Sequence, residues 1–326
     1  MDLSKIGFYS LYNDRVKNVS ATSQMKRCEM ILTEYCNFKC PYCRGLDDDI
    51  YGDRRIKQLS LSEVKRNIDL WCLNGPLENI RFSGGEPTLH KDIVEIVEYA
   101  QSKRINRIAI SSNGSNKIDL YKRLLRAGVN DFSISLDACC ADDGDKMSGG
   151  VVGSWNIVVE NIRTLSALTY VSVGVVLTPD NIDRTIETIR FADSMGVADI
   201  RIISAAQYNK PIPRLNEVDR AIRGRHPILD YRIKHFAEGR NVRGIKNTDS
   251  AKCALMLDDS VIAGDYHFPC VIYMREKGKP IGLVSESMRE DRVRWVENHN
   301  CYEDEICKNN CLDVCIDYNN KYRELH

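Results

Sequence analysis

The 326-residue chain has no excess of charge of either sign, since 46 basic residues balance 46 acidic ones and no long run of one sign occurs. A dominant nucleic-acid interface needs a basic surface, so we do not expect nucleic acid as a partner, although a local basic patch is compatible with this composition. The sequence also has no uninterrupted run of about 18 apolar residues. We therefore expect no transmembrane helix and no membrane partner.

The N-terminus lacks the features of a secretory signal. Its first residues, MDLSKIGFYSLYNDRVKNVS, mix polar and apolar side chains without a continuous apolar segment. We therefore expect a cytoplasmic protein. Disulfides are rare in that reducing compartment, so the 13 cysteines are interpreted first as metal ligands or reactive groups.

Three cysteines, Cys36, Cys40 and Cys43, form one short motif, CNFKCPYC, with no fourth cysteine beside them. A structural zinc site usually has four protein ligands, and a 4Fe–4S cluster is usually held by four thiolates. Three ligands leave one metal position open for chemistry. The motif therefore predicts a reactive metal centre, with a zinc site completed by a distant ligand as the alternative.

Short β-rich segments alternate with longer helical patterns through the first two thirds of the chain. Strands are predicted at 28–33, 79–84, 107–112, 131–137, 170–177 and 199–204, and helices at 61–74, 91–103, 117–128, 154–168 and 181–196. This spacing is typical of an α/β fold in which crossover helices connect the strands of a parallel sheet.

The first four predicted strands each end in chemically informative residues. These are Cys36, Cys40 and Cys43 after the first strand, Gly84, Gly85 and Glu86 after the second, Ser112 and Asn113 after the third, and Asp137 at the end of the fourth. The segments after the second and third strands are each compatible with a turn, and Asp137 is compatible with a strand-end cap. Because active sites lie at the carboxyl ends of parallel strands, together they predict one site.

CNFKCPYC, GGEP, SSNG and SISLD, in this order, resemble the motifs of the radical S-adenosylmethionine (SAM) superfamily over about residues 26–205. The resemblance implies a partial (β/α)6 TIM-like barrel. It also implies that Cys36, Cys40 and Cys43 hold a 4Fe–4S cluster whose remaining iron is chelated by SAM. An electron from a donor such as flavodoxin or ferredoxin would cleave SAM to methionine and a 5′-deoxyadenosyl radical, which abstracts a substrate hydrogen.

The same resemblance assigns residues to SAM binding, namely Tyr42, Gly84, Gly85, Glu86, Ser112, Asn113 and Asp137. The two glycines would allow close backbone approach to the methionine moiety, and the glutamate would accept from its ammonium group. The serine and asparagine resemble ribose-binding positions, and the tyrosine resembles the aromatic residue near adenine.

Six further cysteines lie in the last quarter of the chain: Cys253, Cys270, Cys301, Cys307, Cys311 and Cys315. Their spacing resembles the SPASM or shorter twitch extension of radical SAM enzymes, in which a cysteine-flanked hairpin and later cysteines bind auxiliary clusters. The pattern departs at Asn298, where SPASM proteins carry another cysteine. Six cysteines are too few for two clusters with four thiolates each.

We therefore expect one auxiliary 4Fe–4S cluster. Cys253 and Cys270 are its predicted ligands, joined by two of the last four cysteines, with Cys307 and Cys311 favoured over Cys301 and Cys315. A four-thiolate zinc site is the alternative.

Three segments are predicted: an N-terminal extension (1–25), the radical SAM barrel (26–208) and a small α+β auxiliary cluster domain (209–326). Cys140 directly follows the fourth strand, where a thiol would be able to return a hydrogen atom to a substrate radical. The alternative is a loop thiol without a role.

The function expected from these features is radical modification of a small molecule or a peptide side chain, by oxidation, epimerisation or cross-linking. Radical modification of a nucleotide or nucleic acid is one alternative. A non-enzymatic metal-binding module is another, which the complete set of SAM motifs disfavours.

Overall fold

The computed structural model describes residues 13–45, 57–209 and 213–326. Residues 1–12 of the predicted N-terminal extension and residues 210–212 at the start of the predicted auxiliary domain lie outside the described residues. The chain divides into two compact units. One comprises the described residues of Met1–Tyr35, Arg44–Ala109 and Arg243–His326, and the other comprises Cys36–Cys43 and Ile110–Val242. The predicted segment boundaries at residues 25 and 208 stay predictions.

The strands are β1 (Arg27–Thr33), β2 (Asn79–Gly84), β3 (Arg107–Ser112), β4 (Asp131–Ser135), β5 (Tyr170–Leu177), β6 (Asp199–Ser204), β7 (Asp259–Ala263), β8 (Tyr266–Phe268) and β9 (Gly282–Leu283). The helices are α1 (Asn13–Lys17), α2 (Leu61–Trp71), α3 (Ile93–Ser102), α4 (Ile118–Ala127), α5 (Ala141–Met147), α6 (Ser154–Ser166), α7 (Thr185–Ser194), α8 (Arg220–Arg225), α9 (Pro227–Ala237), α10 (Val271–Arg275), α11 (Met288–Asn298), α12 (Glu305–Asn310) and α13 (Asp313–Leu325).

In the first unit, β1 pairs in parallel with β2 on one side and with β7 on the other. β7, β8 and β9 then continue as antiparallel neighbours. Every β1 residue from Cys28 to Thr33 is buried, as expected of a strand covered on both faces. The predicted hairpin between Cys253 and Cys270 is confirmed as β7–β8, which turns at Gly264 with φ +57°.

In the second unit, β4, β5 and β6 are parallel neighbours. Their apolar side chains are fully buried, as at Phe132, Val173 and Ile200. Phe132 meets Tyr121 of α4 edge-on, with ring centroids 5.7 Å apart. The connecting helices α6 and α7 bury one face each, which is the arrangement that crossover helices require.

The sequence predicted most element bounds closely. β2, β3, β5 and β6 match the predicted strands residue for residue, and α2 begins with a capping box at Ser60. The short helix α5 was not predicted, because its sequence ADDGDKM lacks apolar periodicity and contains a glycine. The α/β class with parallel strands is confirmed. Among the residues that the structure describes, no helix is both long and apolar enough to cross a membrane.

Candidate functional site

The cysteines of CNFKCPYC lie in an irregular loop of the second unit. Cys36 and Cys43 are exposed and Cys40 is half-buried. The Cys43 N–H donates to the Cys40 carbonyl at 2.9 Å, and the Phe38 N–H donates to Cys36 Sγ at 3.4 Å. Hydrogen bonds to sulfur are one means by which proteins tune iron–sulfur ligands. The three thiols thus sit on a shaped loop and fit the predicted cluster.

A glycine-rich segment supports this loop. The Lys39 N–H donates to the Ser148 carbonyl at 2.9 Å. Gly149 has φ +87°, and a Cβ there would lie 2.6 Å from the Lys39 carbonyl oxygen. Asp145 holds the segment, because its carboxylate accepts from the N–H groups of Gly153 (2.6 Å) and Trp155 (2.9 Å), and these bonds lower its pKa. At position 149, only glycine allows the segment to approach the Lys39 carbonyl this closely.

Tyr42 and Asp137, two predicted SAM-pocket residues, contact each other. The Tyr42 hydroxyl donates to Asp137 Oδ2 at 2.5 Å, and the Val176 N–H donates to Oδ1 at 2.7 Å. Burial raises the pKa of Asp137 to about 6, while both hydrogen bonds lower it. Burial also raises the pKa of Cys40 to about 12, and the nearby Asp137 carboxylate adds to that shift. The end of β4 is thereby joined to the cysteine loop.

Asn113 faces the same loop. Its Nδ2 donates to Asn37 Oδ1 at 2.9 Å and lies 3.9 Å from Cys36 Sγ. Ser112 is directed inward instead, since its hydroxyl lies 3.1 Å from the Tyr121 hydroxyl and accepts from the Gly114 N–H. A cavity at this loop is lined by Phe38, Cys40, Asn113, Asp137, Trp155 and neighbouring residues.

Cys140 lies just before α5 in the second unit. Its sulfur is 3.2 Å from Arg184 Nη1 and 3.3 Å from Asp143 Oδ2, and the guanidinium also pairs with that carboxylate at 2.5 Å. The thiol is thus held between two charged groups. Its role as a hydrogen donor stays a prediction.

The GGEP segment belongs to the first unit. Gly84 has φ +148°, and a Cβ there would lie 2.2 Å from the Thr33 carbonyl oxygen, while one at Gly85 would lie 2.4 Å from the Tyr35 carbonyl oxygen. Both glycines are therefore required for the chain to pass β1 closely. The Gly84 carbonyl accepts from Arg275 at 2.7 Å, a contact that the sequence did not indicate.

Glu86 is buried and caps the turn at Pro87–Leu89. Its Oε1 accepts from the Thr88 N–H at 3.0 Å and from the Thr88 hydroxyl at 2.6 Å. The carboxylate is thus held in a defined position. Its predicted contact with the SAM ammonium group stays a prediction.

All six C-terminal cysteines line one cavity in the first unit, namely Cys253, Cys270, Cys301, Cys307, Cys311 and Cys315. Burial raises the pKa of Cys253 well above its usual range, with neighbouring sulfurs adding to the shift. Burial likewise raises the pKa of Cys270 to about 12. A cysteine binds metal as its thiolate, and a bound cation would offset the repulsion between these neighbouring thiolates. The donor set therefore fits an auxiliary cluster or another thiolate-bound metal.

The six thiols are not evenly spread. Cys311 and Cys315 share a hydrogen bond that raises the pKa of Cys311. Cys301 and Cys307 form another pair, in which their hydrogen bond lowers the pKa of Cys301 to about 6 and raises that of Cys307. Cys253 lies near both pairs, since it interacts electrostatically with Cys301 and Cys315. The favoured ligands Cys307 and Cys311 thus belong to different pairs, and their assignment stays a prediction.

His299 is a candidate ligand that the sequence interpretation missed. Its ring nitrogen forms a group with the sulfurs of Cys301 and Cys307, all within 4.8 Å of one another. The available signal was the sequence HNC, in which the histidine precedes the cysteine by two residues. The spacing of the cysteines alone does not indicate that His299 is a candidate ligand.

Residues 30–192 match the family model of the Radical SAM superfamily, which is half of the chain and includes the CNFKCPYC, GGEP and SSNG segments. The chain belongs to the radical SAM superfamily. Radical SAM enzymes bind a 4Fe–4S cluster and SAM, so the predicted cofactors of the main site are confirmed at the level of the family.

Curated relatives of this radical SAM protein include the probable GTP 3′,8-cyclase of Saccharolobus islandicus (strain L.S.2.15 / Lassen #1), which is 28% identical over 176 residues, covering 53% of this chain and 54% of the relative. The GTP 3′,8-cyclase of Synechococcus elongatus is 36% identical over 116 residues, covering 35% of each protein. The chain thus spans about half the length of the first of these relatives and about a third of the length of the second.

Solved structures extend the similarity beyond the family match. A histidine-tagged form of anSMEcpe with bound AdoMet has a TM-score of 0.62 at 14% identity and covers 93% of this chain and 94% of its own. SuiB of Streptococcus suis, bound to the precursor peptide SuiA, has a TM-score of 0.60 at 13% identity and covers 86% of this chain and 66% of its own. At these identities the likeness concerns the fold alone, and it confirms the predicted partial-barrel class.

Proposed function

We propose that this protein is a radical SAM enzyme that abstracts a hydrogen atom from a peptide side chain or a small molecule. The main observation is the CNFKCPYC loop, in which the exposed Cys36 and Cys43 and the half-buried Cys40 lie beside Asn113 and the Tyr42–Asp137 pair. Cys36, Cys40 and Cys43 would hold the cluster. When bound, cluster and SAM supply the 5′-deoxyadenosyl radical that performs the abstraction.

The chain's own residues would then position SAM. Tyr42, fixed by its hydrogen bond to Asp137, would present its ring to the adenine, and Asn113 would face the ribose. Glu86, held by Thr88, would accept from the methionine ammonium group. The cavity at Phe38 and Trp155 would exclude water from the reacting atoms.

Two observations favour a peptide over other substrates. The fold similarity to anSMEcpe covers 93% of the chain, and one such structure contains a bound Cp18Cys peptide. The SuiB structure likewise contains its precursor peptide. A peptide substrate is therefore the first class to test.

The test is turnover of SAM by the anaerobically reconstituted, reduced protein. We expect 5′-deoxyadenosine to form with the wild type and not with the variant in which Cys36, Cys40 and Cys43 are all alanine. Deuterium transfer from labelled peptides into 5′-deoxyadenosine would identify the substrate class. Equal 5′-deoxyadenosine formation by the triple variant would disprove the assignment of these ligands.

A nucleotide substrate is the second candidate, because the sequence relatives are GTP 3′,8-cyclases. GTP would then stimulate 5′-deoxyadenosine formation and would itself lose the hydrogen atom. Stimulation by peptides but not by GTP would exclude this candidate, and the reverse result would favour it.

A further inference from the structure

The group formed by His299, Cys301 and Cys307 has the dimensions of a single-ion site. Cys307 Sγ lies 3.6 Å from His299 Nε2, and all three ligand atoms lie within 4.8 Å of one another. A tetrahedral ion with metal–sulfur bonds of about 2.3 Å and metal–nitrogen bonds of about 2.0–2.1 Å requires a sulfur–nitrogen separation of about 3.5 Å. The observed distance agrees with that requirement.

An iron–sulfur cubane places different demands on its ligands. Each protein ligand binds a different iron, so the ligand atoms are separated by the body of the cluster and lie farther apart than those of one ion. We propose that His299, Cys301 and Cys307 bind one mononuclear metal ion, separate from the predicted auxiliary cluster of Cys253 and Cys270. Zinc is a common ion for a tetrahedral site of imidazole and thiolate donors, and it is the ion that we test.

The histidine ring is already oriented for such a role. It stacks on Trp295, with ring centroids 3.7 Å apart and an interplanar angle of 18°, and Tyr273 meets it edge-on at 6.4 Å. The backbone N–H of His299 donates to the Trp295 carbonyl at 2.8 Å. A ligand fixed by packing loses little freedom on binding metal, which favours affinity.

Asp304 supplies supporting charge. Its Oδ1 accepts from the Cys307 N–H at 2.8 Å, and its Oδ2 accepts from the Tyr273 hydroxyl at 2.9 Å. Oδ2 also lies 3.8 Å from His299 Nε2. A carboxylate at this distance favours a divalent cation, and three protein ligands leave one coordination position for water.

The experiment is zinc, iron and sulfide analysis of the anaerobically purified full chain, repeated after titration with zinc. Wild type is compared with His299→Gln, His299→Cys and a matched control, His326→Gln, which alters an exposed histidine. We expect about one zinc per wild-type chain, as a single-ion site requires. Zinc affinity should fall at least about tenfold in His299→Gln, because changes even beyond the direct ligands cost 10- to 100-fold.

His299→Cys should restore zinc binding, because a thiolate replaces the imidazole as ligand. Such a recovery would show that the loss of zinc in His299→Gln comes from the missing ligand and not from a folding defect. Cobalt in place of zinc should report the added thiolate in its absorption spectrum. Cys270→Ala should lower iron and keep zinc. Wild-type zinc affinity in His299→Gln, or loss of one cluster's iron and sulfide in that variant, would overturn the proposal. SAM cleavage, measured in parallel, reports on the proposed function independently.

Discussion

Replacing Tyr42 by phenylalanine should raise the pKa of Asp137. The tyrosine hydroxyl donates to the carboxylate at 2.5 Å, and burial already holds that pKa at about 6. A hydrogen bond to a charged group contributes about 1.5–3 kcal/mol, which corresponds to about one to two pKa units. We therefore expect the pKa of Asp137 in Tyr42→Phe to lie at about 7–8.

The shift has a defined effect on stability. The folded-state pKa of Asp137, about 6, exceeds the reference value of 3.8, so the folded protein binds the proton more tightly than the unfolded chain. This contribution to the free energy of unfolding is fully present below about pH 4 and is lost as the pH rises through 6. The loss amounts to about 3 kcal/mol. In Tyr42→Phe, this loss of stability with rising pH should continue to about pH 8.

The carboxyl C=O band in infrared difference spectra, followed from pH 4 to 9, measures the pKa of Asp137 directly, with Asp137→Asn identifying the band. Urea unfolding of the metal-free protein over the same range measures the stability. Tyr35→Phe, which alters an exposed tyrosine beside the same motif, is the matched control. A titration of Tyr42→Phe that superimposes on wild type would refute the reasoning, as would an equal stability change when Asp137 is already asparagine.

Three further results are expected. The triple alanine variant of Cys36, Cys40 and Cys43 should lose about four irons per chain, and unchanged iron content would contradict the main-cluster assignment. Glu86→Gln should weaken SAM binding about 10- to 100-fold in equilibrium dialysis, because a charge-assisted hydrogen bond is lost; wild-type affinity would leave Glu86 only its capping role. Cys253→Ala should lose the auxiliary cluster's iron and sulfide while SAM is still bound, and full metal content would exclude Cys253 as a ligand.

The sequence predicted the parallel strands because each is a short apolar run, as in β5 and β6. Such a run can be recognised without knowing which distant residues it contacts. It predicted the cysteine loop because the motif is local. The partner of Tyr42 was harder to predict from the sequence, since the contact with Asp137 joins residues 95 positions apart. Helix α5 was missed because tertiary packing, rather than periodicity, stabilises it.

The auxiliary ligand set was hard to predict for a related reason. Spacing shows that six cysteines converge but not which of them share a metal, because that depends on side-chain geometry. The structure pairs Cys301 with Cys307 and Cys311 with Cys315, and it adds His299. A spacing rule built on cysteines alone has no place for a histidine.

A buried arginine explains how the hairpin cysteines are positioned without metal. Arg292 looks like a surface residue in the polar helix α11, yet it is fully buried, and burial lowers its pKa to about 10. Its guanidinium donates to the carbonyls of Met256 (2.7 Å), Phe268 (2.8 Å) and Pro269 (3.1 Å). These residues follow Cys253 and precede Cys270, so one side chain fixes both ends of the hairpin. Metal binding therefore finds these ligands largely preorganised, and its contribution to folding should be smaller than for a domain that the metal alone assembles.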